Sequence, residues 1–320
     1  MDKINELYTY LNSQQTAQYY LLNCYKGIPG IDAEAKSYEN CNAFMYYLDH
    51  GYRFYESGKN VDLFARPVLY FYGMVHLLKA CLLTKRPDYP ESTSLLAHGA
   101  STRKRKKKNY TFMMDEVKVQ HNGLFPYFSE HLFKYKNISF EKIKMEKLLA
   151  LIPEMDNLFS FREKERMVAV STVGSRFFKF PTHLLDSYHL TAKAFQKRME
   201  PHLPKIKDVK VTGSQMTFEV SKPVIESNGP FFFHAVNNKI YFPVDRNHFL
   251  PISEVMVHYL LLYNLSMLCR YEAEWWGDLL TAKSEIDYPF IVHFLTCTAE
   301  KIPFLLGTEL YKGKSGKANG

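Results

Sequence analysis

The segment from Ser253 to Arg270 predicts a helix that is apolar on nearly every face. A helix without a polar face is stable in water only when other elements cover it on all sides. The chain therefore has to fold around this segment, and its 320 residues are enough to build a core that encloses a helix.

A second apolar helix is predicted from Arg66 to Thr84, with Pro67 at the first helical position, where its missing N–H is not needed. The stretch is about as long as a membrane span, but His76 and Lys79 interrupt it. We interpret it as a buried core helix. Apolar residues at helical spacing over 33–55 predict another helix that precedes it.

The middle of the chain predicts shorter elements. Residues 127–205 have the pattern of helices with breaks, and β-branched and aromatic residues between turn signals predict short antiparallel strands over 209–244. A last helix is expected to begin at Ser284, whose hydroxyl can cap it, and to run towards Pro303.

Residues 85–123 carry loop markers and a run of six basic residues, 103–108. The formal net charge is +8, and outside this run 35 Lys and Arg stand against 33 Asp and Glu. The excess positive charge is therefore local. A loop of this length in a folded domain commonly binds something, so it is the first candidate site.

The start of this loop combines groups that suit a phosphate: a histidine, a glycine that permits close backbone approach, two hydroxyls and the cations. The alternative is that the charged run is solvated surface. The predicted phosphate-binding residues are His98, Gly99, Ser101, Thr102, Arg103, Lys104, Arg105 and Lys106.

A second group of residues flanks the two apolar helices. His76 is interpreted either as a core histidine bonded to a neighbour or as a catalytic residue. Arg270 is expected either to pair with Glu272 or Glu274, or to form with Trp275 a platform that stacks a base or anchors a partner protein. The predicted second pocket comprises Arg66, His76, Arg270, Glu272, Glu274 and Trp275.

The five cysteines lie far apart and show no zinc-binding spacing, which predicts reduced thiols and no metal site. The sequence has no phosphate-loop, dinucleotide, nucleophile-elbow or HExxH motif, and we expect no cofactor. The first eleven residues lack the pattern of an export signal. We expect a protein of the cytoplasm that does not contact a membrane.

The strings RPVLYFYGMVHLLKACLLT, YPESTSLLAHGASTRKRKKK, LLYNLSMLCRYEAEWWGDLL and DYPFIVHFL resemble the YaaC-like family of bacterial proteins over most of the chain. The first and last helical pairs also resemble, more loosely, the halves of a HEPN-type helical bundle. HEPN ribonucleases share an Arg-x4-6-His motif, but Arg66 and His76 are ten residues apart here. Because of this spacing, Arg66 and His76 do not match the catalytic motif of the HEPN ribonucleases.

These observations predict an α+β fold that is mainly α, with a helical bundle formed from both ends of the chain and an inserted segment that contains a small antiparallel sheet. We expect an N-terminal half of the bundle over 1–90, the basic loop over 91–125, inserted helices and sheet over 126–250, a C-terminal half over 251–312 and a disordered tail over 313–320.

The main functional hypothesis is a non-enzymatic binding or regulatory protein that recognises RNA or a phosphorylated nucleotide through the basic loop. One alternative is a protein–protein regulatory module, for which the gene neighbourhood of the YaaC-like family nominates IMP dehydrogenase. The other alternative is a metal-independent HEPN-like ribonuclease with an altered site.

Overall fold

The structure is a computed structural model that describes residues 2–103, 110–163, 165–225 and 228–314. It confirms the predicted fold class: the protein is α+β, mainly helical, and both ends of the chain join in one helical unit. The chain divides into two compact units, one comprising Met1–Ile143 and His258–Gly320 and the other Lys144–Val257. The second unit is therefore an insertion in the first.

The first unit is a helical bundle with one small sheet. Its sheet has the strand order β1-β2-β3, and β1 pairs antiparallel with β2. Both β3 and α10 extend across the boundary into the second unit. The elements are α1 (Asp2–Tyr10), α2 (Gln14–Tyr25), α3 (Ala33–Asn60), α4 (Arg66–Leu83), β1 (Ala100–Thr102), β2 (Glu116–Val119), α5 (Leu124–His131), β3 (Lys142–Lys144), α10 (Glu254–Tyr271), α11 (Ala273–Ala282) and α12 (Asp287–Lys314).

The second unit consists of short helices and two three-stranded antiparallel sheets, with strand orders β4-β9-β8 and β5-β7-β6. Buried aromatic side chains form its core, among them Phe178, Phe180, Phe218 and Phe242. The elements are α6 (Met145–Leu149), α7 (Asp156–Ser160), β4 (Met167–Thr172), β5 (Phe177–Pro181), α8 (His183–Tyr188), α9 (Ala192–Met199), β6 (Ile206–Thr212), β7 (Gln215–Val220), β8 (Phe232–His234) and β9 (Lys239–Pro243).

The two apolar helices are buried, as their sequences predict. Twelve of the 18 residues of α4 are buried, and α10 is buried along most of its length. Tyr259 of α10 packs its ring against Phe71 of α4 at a centroid distance of 5.3 Å and against Phe128 of α5 at 5.1 Å. The aromatic contacts of one residue thus join three helices.

The β structure is more extensive than predicted. The prediction of helices with breaks over 127–205 is wrong for β4 and β5. In β5 the alternate residues Phe178 and Phe180 are buried, with the period of two that a strand imposes. In β4 a register shift between Ala169 and Ser171 interrupts that period. The loop over 85–123 also contains β1 and β2, which pair with each other. Strands this short have little periodicity of their own and depend on their partners.

The last helix differs from its prediction at both ends. It begins at Asp287 rather than Ser284, and it continues through Pro303 to Lys314. Tyr8 Oη donates a hydrogen bond of 2.8 Å to Pro303 O, so contacts with α1 accompany the proline inside the helix. Gly313, placed in the predicted tail, is helical, and residues 315–320 lie outside the described residues.

By length and composition α12 is apolar enough to cross a membrane, with a mean hydropathy of 1.3 in its most apolar window. Of that window, 56% is buried inside the protein. Core helices of folded domains share these properties.

A substitution at Gly307 tests how closely α1 packs against α12. A Cβ atom at Gly307 would overlap Ile4 Cγ2 and lie 3.1 Å from Tyr8 Cε2, whereas one at Gly277 of α11 would meet nothing within 4 Å. We expect Gly307→Ala to lower the free energy of unfolding by about 1–3 kcal/mol through overpacking. The control Gly277→Ala should raise it by about 0.5–1 kcal/mol, because alanine favours a helix. Urea denaturation measures the free energy of unfolding of both variants. An equal increase in the two variants would contradict the close packing at Gly307.

Candidate functional site

The backbone at His98 is fixed by hydrogen bonds from two other elements. Its carbonyl oxygen accepts from Tyr259 Oη at 2.8 Å and from the Phe125 N–H at 3.1 Å. The next residue, Gly99, has φ +73°, and a Cβ there would lie 2.8 Å from Phe125 N. The close approach that Gly99 permits is therefore to neighbouring backbone, and it holds the His98 side chain in a defined place.

The imidazole of His98 is half-buried among aromatic rings. Its centroid lies 5.0 Å from Phe71, 5.8 Å from Tyr263 and 6.1 Å from Tyr72. Burial lowers its pKa, and the positive charges of Arg270 and Lys79 lower it further. The ring is therefore mainly neutral at pH 7, and His98 has two cationic neighbours.

One face of α4 carries Tyr72, His76 and Lys79, which are spaced four and then three residues apart. The His76 ring stacks on Phe54 at 5.7 Å and meets the edge of His50 at 5.4 Å. Burial lowers the His76 pKa to about 4, with smaller contributions from Lys79 and His50. Its Nδ1 is buried without a hydrogen-bond partner among the described residues, so the predicted bond of a core histidine is not formed there.

Neither cation of this region forms an ion pair with a described residue. Arg270 donates from Nε to the Ser266 carbonyl oxygen at 2.8 Å, and its guanidinium lies 5.2 Å from the Tyr271 ring centroid. The predicted pairing with Glu272 or Glu274 is wrong, because the side chain folds back over the last turn of α10. Lys79 Nζ lies 5.5 Å from the ring centroid of Tyr47.

These side chains form a surface on the first unit that we call the cationic-aromatic surface, defined as Tyr72, His76, Lys79, His98 and Arg270. The charged groups that shift the pKa values of its two histidines are all cationic. Such a surface attracts an anion and offers rings that a planar group can contact.

The basic run begins one strand away from this surface. Ser101 and Thr102 belong to β1, and Ser101 Oγ accepts a hydrogen bond of 2.6 Å from Gln120 Nε2. Arg103 is exposed, while the predicted phosphate-binding residues Lys104, Arg105 and Lys106 lie outside the described residues. A groove of about 670 Å³ is lined by Arg103 and by described residues before and after the run, including Ser101 and Tyr110.

Buried polar groups hold the chain immediately after the run. Tyr110 Oη and Asn264 Nδ2 both donate to Asp115 Oδ2, each at 2.9 Å. Asp287 accepts from the backbone N–H groups of Phe112 and Met113, the latter at 3.2 Å. Burial raises the pKa of Asp287. Asp287 thus anchors the loop rather than capping its own helix, and its position in the sequence gives no sign of this role.

The remaining predicted residues lie elsewhere. Arg66 donates to the Val61 carbonyl oxygen at 3.0 Å, and ten residues of helix place it about 15 Å along the axis from His76. Trp275 packs on Tyr110, which follows the basic run by two residues in the sequence, at a centroid distance of 5.0 Å. Glu272 is half-buried and Glu274 is exposed.

The structure thus brings His98 and Arg270 close enough to interact, and His76 shares with His98 the neighbouring charge of Lys79. Sequence reasoning missed Lys79 and Tyr72. Their spacing from His76 on one helical face is the signal that would have found them. In the parts of the chain that the structure describes, no three His, Cys, Asp or Glu side chains form a metal-binding group.

A family model described as YaaC-like protein matches residues 9–310 of the chain. No curated protein and no solved structure matches it.

The depressed pKa of His76 predicts acid sensitivity. Because the folded-state value of about 4 lies below the usual 6.5, the unfolded chain binds more protons between these values, and stability is lost as the pH falls through this window. We expect His76→Gln to lose less stability between pH 7 and pH 4.5, measured by urea denaturation. The control is His121→Gln at an exposed histidine. Equal acid sensitivity in both variants would contradict the burial of His76.

The charges beside His98 predict a second titration result. Removing a positive neighbour makes protonation easier, so Arg270→Ala and Lys79→Ala should each raise the His98 pKa. Titration of the imidazole NMR signals measures it. The control is Arg53→Ala, whose guanidinium pairs with Asp49 on α3. An unchanged His98 pKa in the first two variants would show that the three side chains do not share one surface.

Proposed function

The chain belongs to the family of YaaC-like proteins, and from that premise we propose that it is a non-enzymatic binding protein that recognises a phosphorylated nucleotide, free or within RNA. The ligand contacts the cationic-aromatic surface and the adjoining basic run. The observation that carries this proposal is that Lys79 and Arg270 stand among aromatic rings without an ion-pair partner in the described part of the chain.

Unpaired cations favour an anionic ligand. Lys79 is partly buried, which lowers its pKa because desolvation disfavours the charged form. An anion at this surface would compensate that cost, and a phosphate oxygen accepts hydrogen bonds from both an ammonium and a guanidinium. The exposed guanidinium of Arg270 can turn towards such a ligand.

The rings favour a nucleotide over a simple phosphate. Tyr72 and His98 are each half-buried, so part of each ring faces solvent. Bases stack on such rings with little sequence preference. The same surface therefore offers contacts for the base and for the phosphate of one nucleotide.

The basic run adds further positive charge to the chain a few residues after His98 in the sequence. Arg103 follows His98 by five residues, and the sequence places five more cations directly after it. A free nucleotide needs few of these charges, whereas successive phosphates of RNA can contact several of them. The run is therefore the part that distinguishes the two ligand sources.

We infer binding rather than catalysis from the state of the histidines. General acid–base catalysis at neutral pH works best with groups whose pKa values lie near the operating pH. The His76 and His98 pKa values are both lowered by burial and by cations, and no carboxylate raises either of them. The two neutral rings suit stacking and hydrogen bonding.

The test is fluorescence anisotropy with labelled single-stranded RNA of mixed sequence across a salt series. We expect Lys79→Ala and Arg270→Ala each to weaken binding about fivefold and to flatten the salt slope by about 0.7, as the loss of one phosphate contact predicts. Tyr72→Ala should cost about 1–3 kcal/mol with an unchanged slope, because stacking releases no counterions. The controls are Lys193→Ala and Arg162→Ala, at exposed cations of the second unit.

Two further arms identify the ligand source. Replacing residues 103–108 by glutamine should abolish tight RNA binding while a labelled nucleoside monophosphate still binds, if both ligands use the cationic-aromatic surface. Intact RNA after long incubation would agree with a binding role, and cleavage that His98→Ala removes would favour a ribonuclease. Binding that is equal in the site variants and the controls would contradict the proposed surface.

A further inference from the structure

Strand β6 of the second unit lies at the edge of its sheet. The strand order is β5-β7-β6, so β6 pairs with β7 on one side only. Five of its seven residues are exposed and the other two are half-buried. Outside the β6–β7 ladder, no hydrogen bond from the described part of the chain reaches the backbone of Val209 or Val211. The outer side of β6 is therefore open to pairing with another strand.

The turn between β6 and β7 determines which backbone groups of β6 point outward. Two residues form this turn, and the first of them, Gly213, has φ +55°, as hairpin turns of this length require. The residues that flank it, Thr212 and Gln215, are the pair that such a turn joins by a hydrogen bond. Bonded and non-bonded pairs alternate along an antiparallel ladder. The N–H and C=O groups of Val209 and Val211 therefore point away from β7.

The side chain of Val211 is apolar and incompletely covered. Val211 lies opposite Met216 of β7, which is buried, so both side chains are on the core face of the sheet. Val211 is nonetheless 54% exposed. A strand added beside β6 would place an apolar residue next to Val211 and remove this surface from water.

The charge of β6 favours an acidic partner. Lys207 and Lys210 lie within the strand, Lys205 directly precedes it, and all three are exposed. Asp208 is the one acidic residue of β6, and its Oδ2 lies 3.4 Å from Lys210 Nζ. Three lysines against one aspartate give the segment 205–212 a formal charge of +2. Lysines on an edge oppose pairing with a strand of the same charge, which includes β6 of a second copy, and favour an acidic strand.

We propose that β6 binds an extended acidic segment of a partner protein, which adds an antiparallel strand to the sheet. Its apolar residues lie opposite Val209 and Val211 and bond to them through the backbone. Its acidic residues alternate with these and lie opposite Lys210 on the solvent face. The proposal uses no residue of the cationic-aromatic surface and is independent of nucleotide or RNA binding.

The test measures binding of capped, fluorescent peptides of about seven residues to the full chain by anisotropy. The peptides alternate valine with glutamate or with lysine. We expect the Glu/Val peptide to bind at least about tenfold tighter than the Lys/Val peptide, because like charges on paired strands repel. Equal affinity for the two peptides would overturn the proposal.

Methylated peptides test the backbone ladder in the unaltered protein. Methylating the valine nitrogens of the Glu/Val peptide should abolish binding, because in an antiparallel ladder those N–H groups face β6. Methylating the glutamate nitrogens instead should preserve binding, since those groups face solvent. Binding that survives methylation of the valine nitrogens would contradict strand addition.

Substitutions locate the binding on β6. Val211→Pro removes an outward N–H and leaves the β6–β7 bonds in place, so it should weaken the Glu/Val peptide about tenfold, whereas the control Val211→Thr keeps that N–H and should weaken it less than about threefold. Lys210→Gln should weaken it about threefold. The matched control is Lys239→Gln, at an exposed lysine of β9, which has strands on both sides.

Two results with these variants would overturn the assignment. One is unchanged peptide binding in a Val211→Pro protein whose melting temperature equals that of the native chain. The other is a dimer of the native chain in sedimentation that Val211→Pro dissociates, because a second copy would then occupy the edge of β6.

Discussion

The hydrogen bond from Tyr259 Oη to His98 O is the interaction on which the arrangement of the first unit depends. Tyr259 lies in the middle of a helix that is covered on all sides, so its ring is fixed by packing against α4 and α5. The hydroxyl satisfies a carbonyl at the start of the basic loop. Together with the Phe125 N–H, which donates to the same oxygen, this side chain sets the distance between the core and the His98 imidazole. A buried tyrosine hydroxyl without this acceptor would be left unpaired.

The distribution of carboxylates explains why the cationic-aromatic surface stays positive. Asp287 binds two backbone N–H groups and Asp115 accepts from Tyr110 and Asn264, so these acids hold the chain after the basic run. Neither compensates Lys79 or Arg270. The carboxylates of Asp115 and Asp287 are used in hydrogen bonds that hold the loop. They do not neutralise the two cations, and the electrostatic field of Lys79 and Arg270 favours an anion.

The sequence predicts the long helices well and the short strands poorly, for a physical reason. In α3, α4 and α10 apolar residues recur at every turn, so many residues support the same prediction of a helix. In β4 and β5 the signal is five or six residues long and depends on partners distant in sequence. The residues of the cationic-aromatic surface also differ in how well the sequence predicts them. His98 and Arg270 can be recognised as unusual residues, whereas Lys79 and Tyr72 have the appearance of ordinary members of an apolar helix. That Arg66 lies apart from His76 follows from helical rise alone.

The hydrogen bonds of α1 and α2 to α12 have a consequence for synthesis on the ribosome. Tyr20 Oη donates to Leu310 O at 2.7 Å, and Tyr8 Oη donates to Pro303 O, so partners at the two termini are about 290 residues apart. The inserted unit is complete at Val257, before α12 has been made. At ordinary elongation rates the N-terminal helices wait roughly 15–60 s for their C-terminal partner. During that interval the face of α4 that α12 covers in the folded protein lacks this cover.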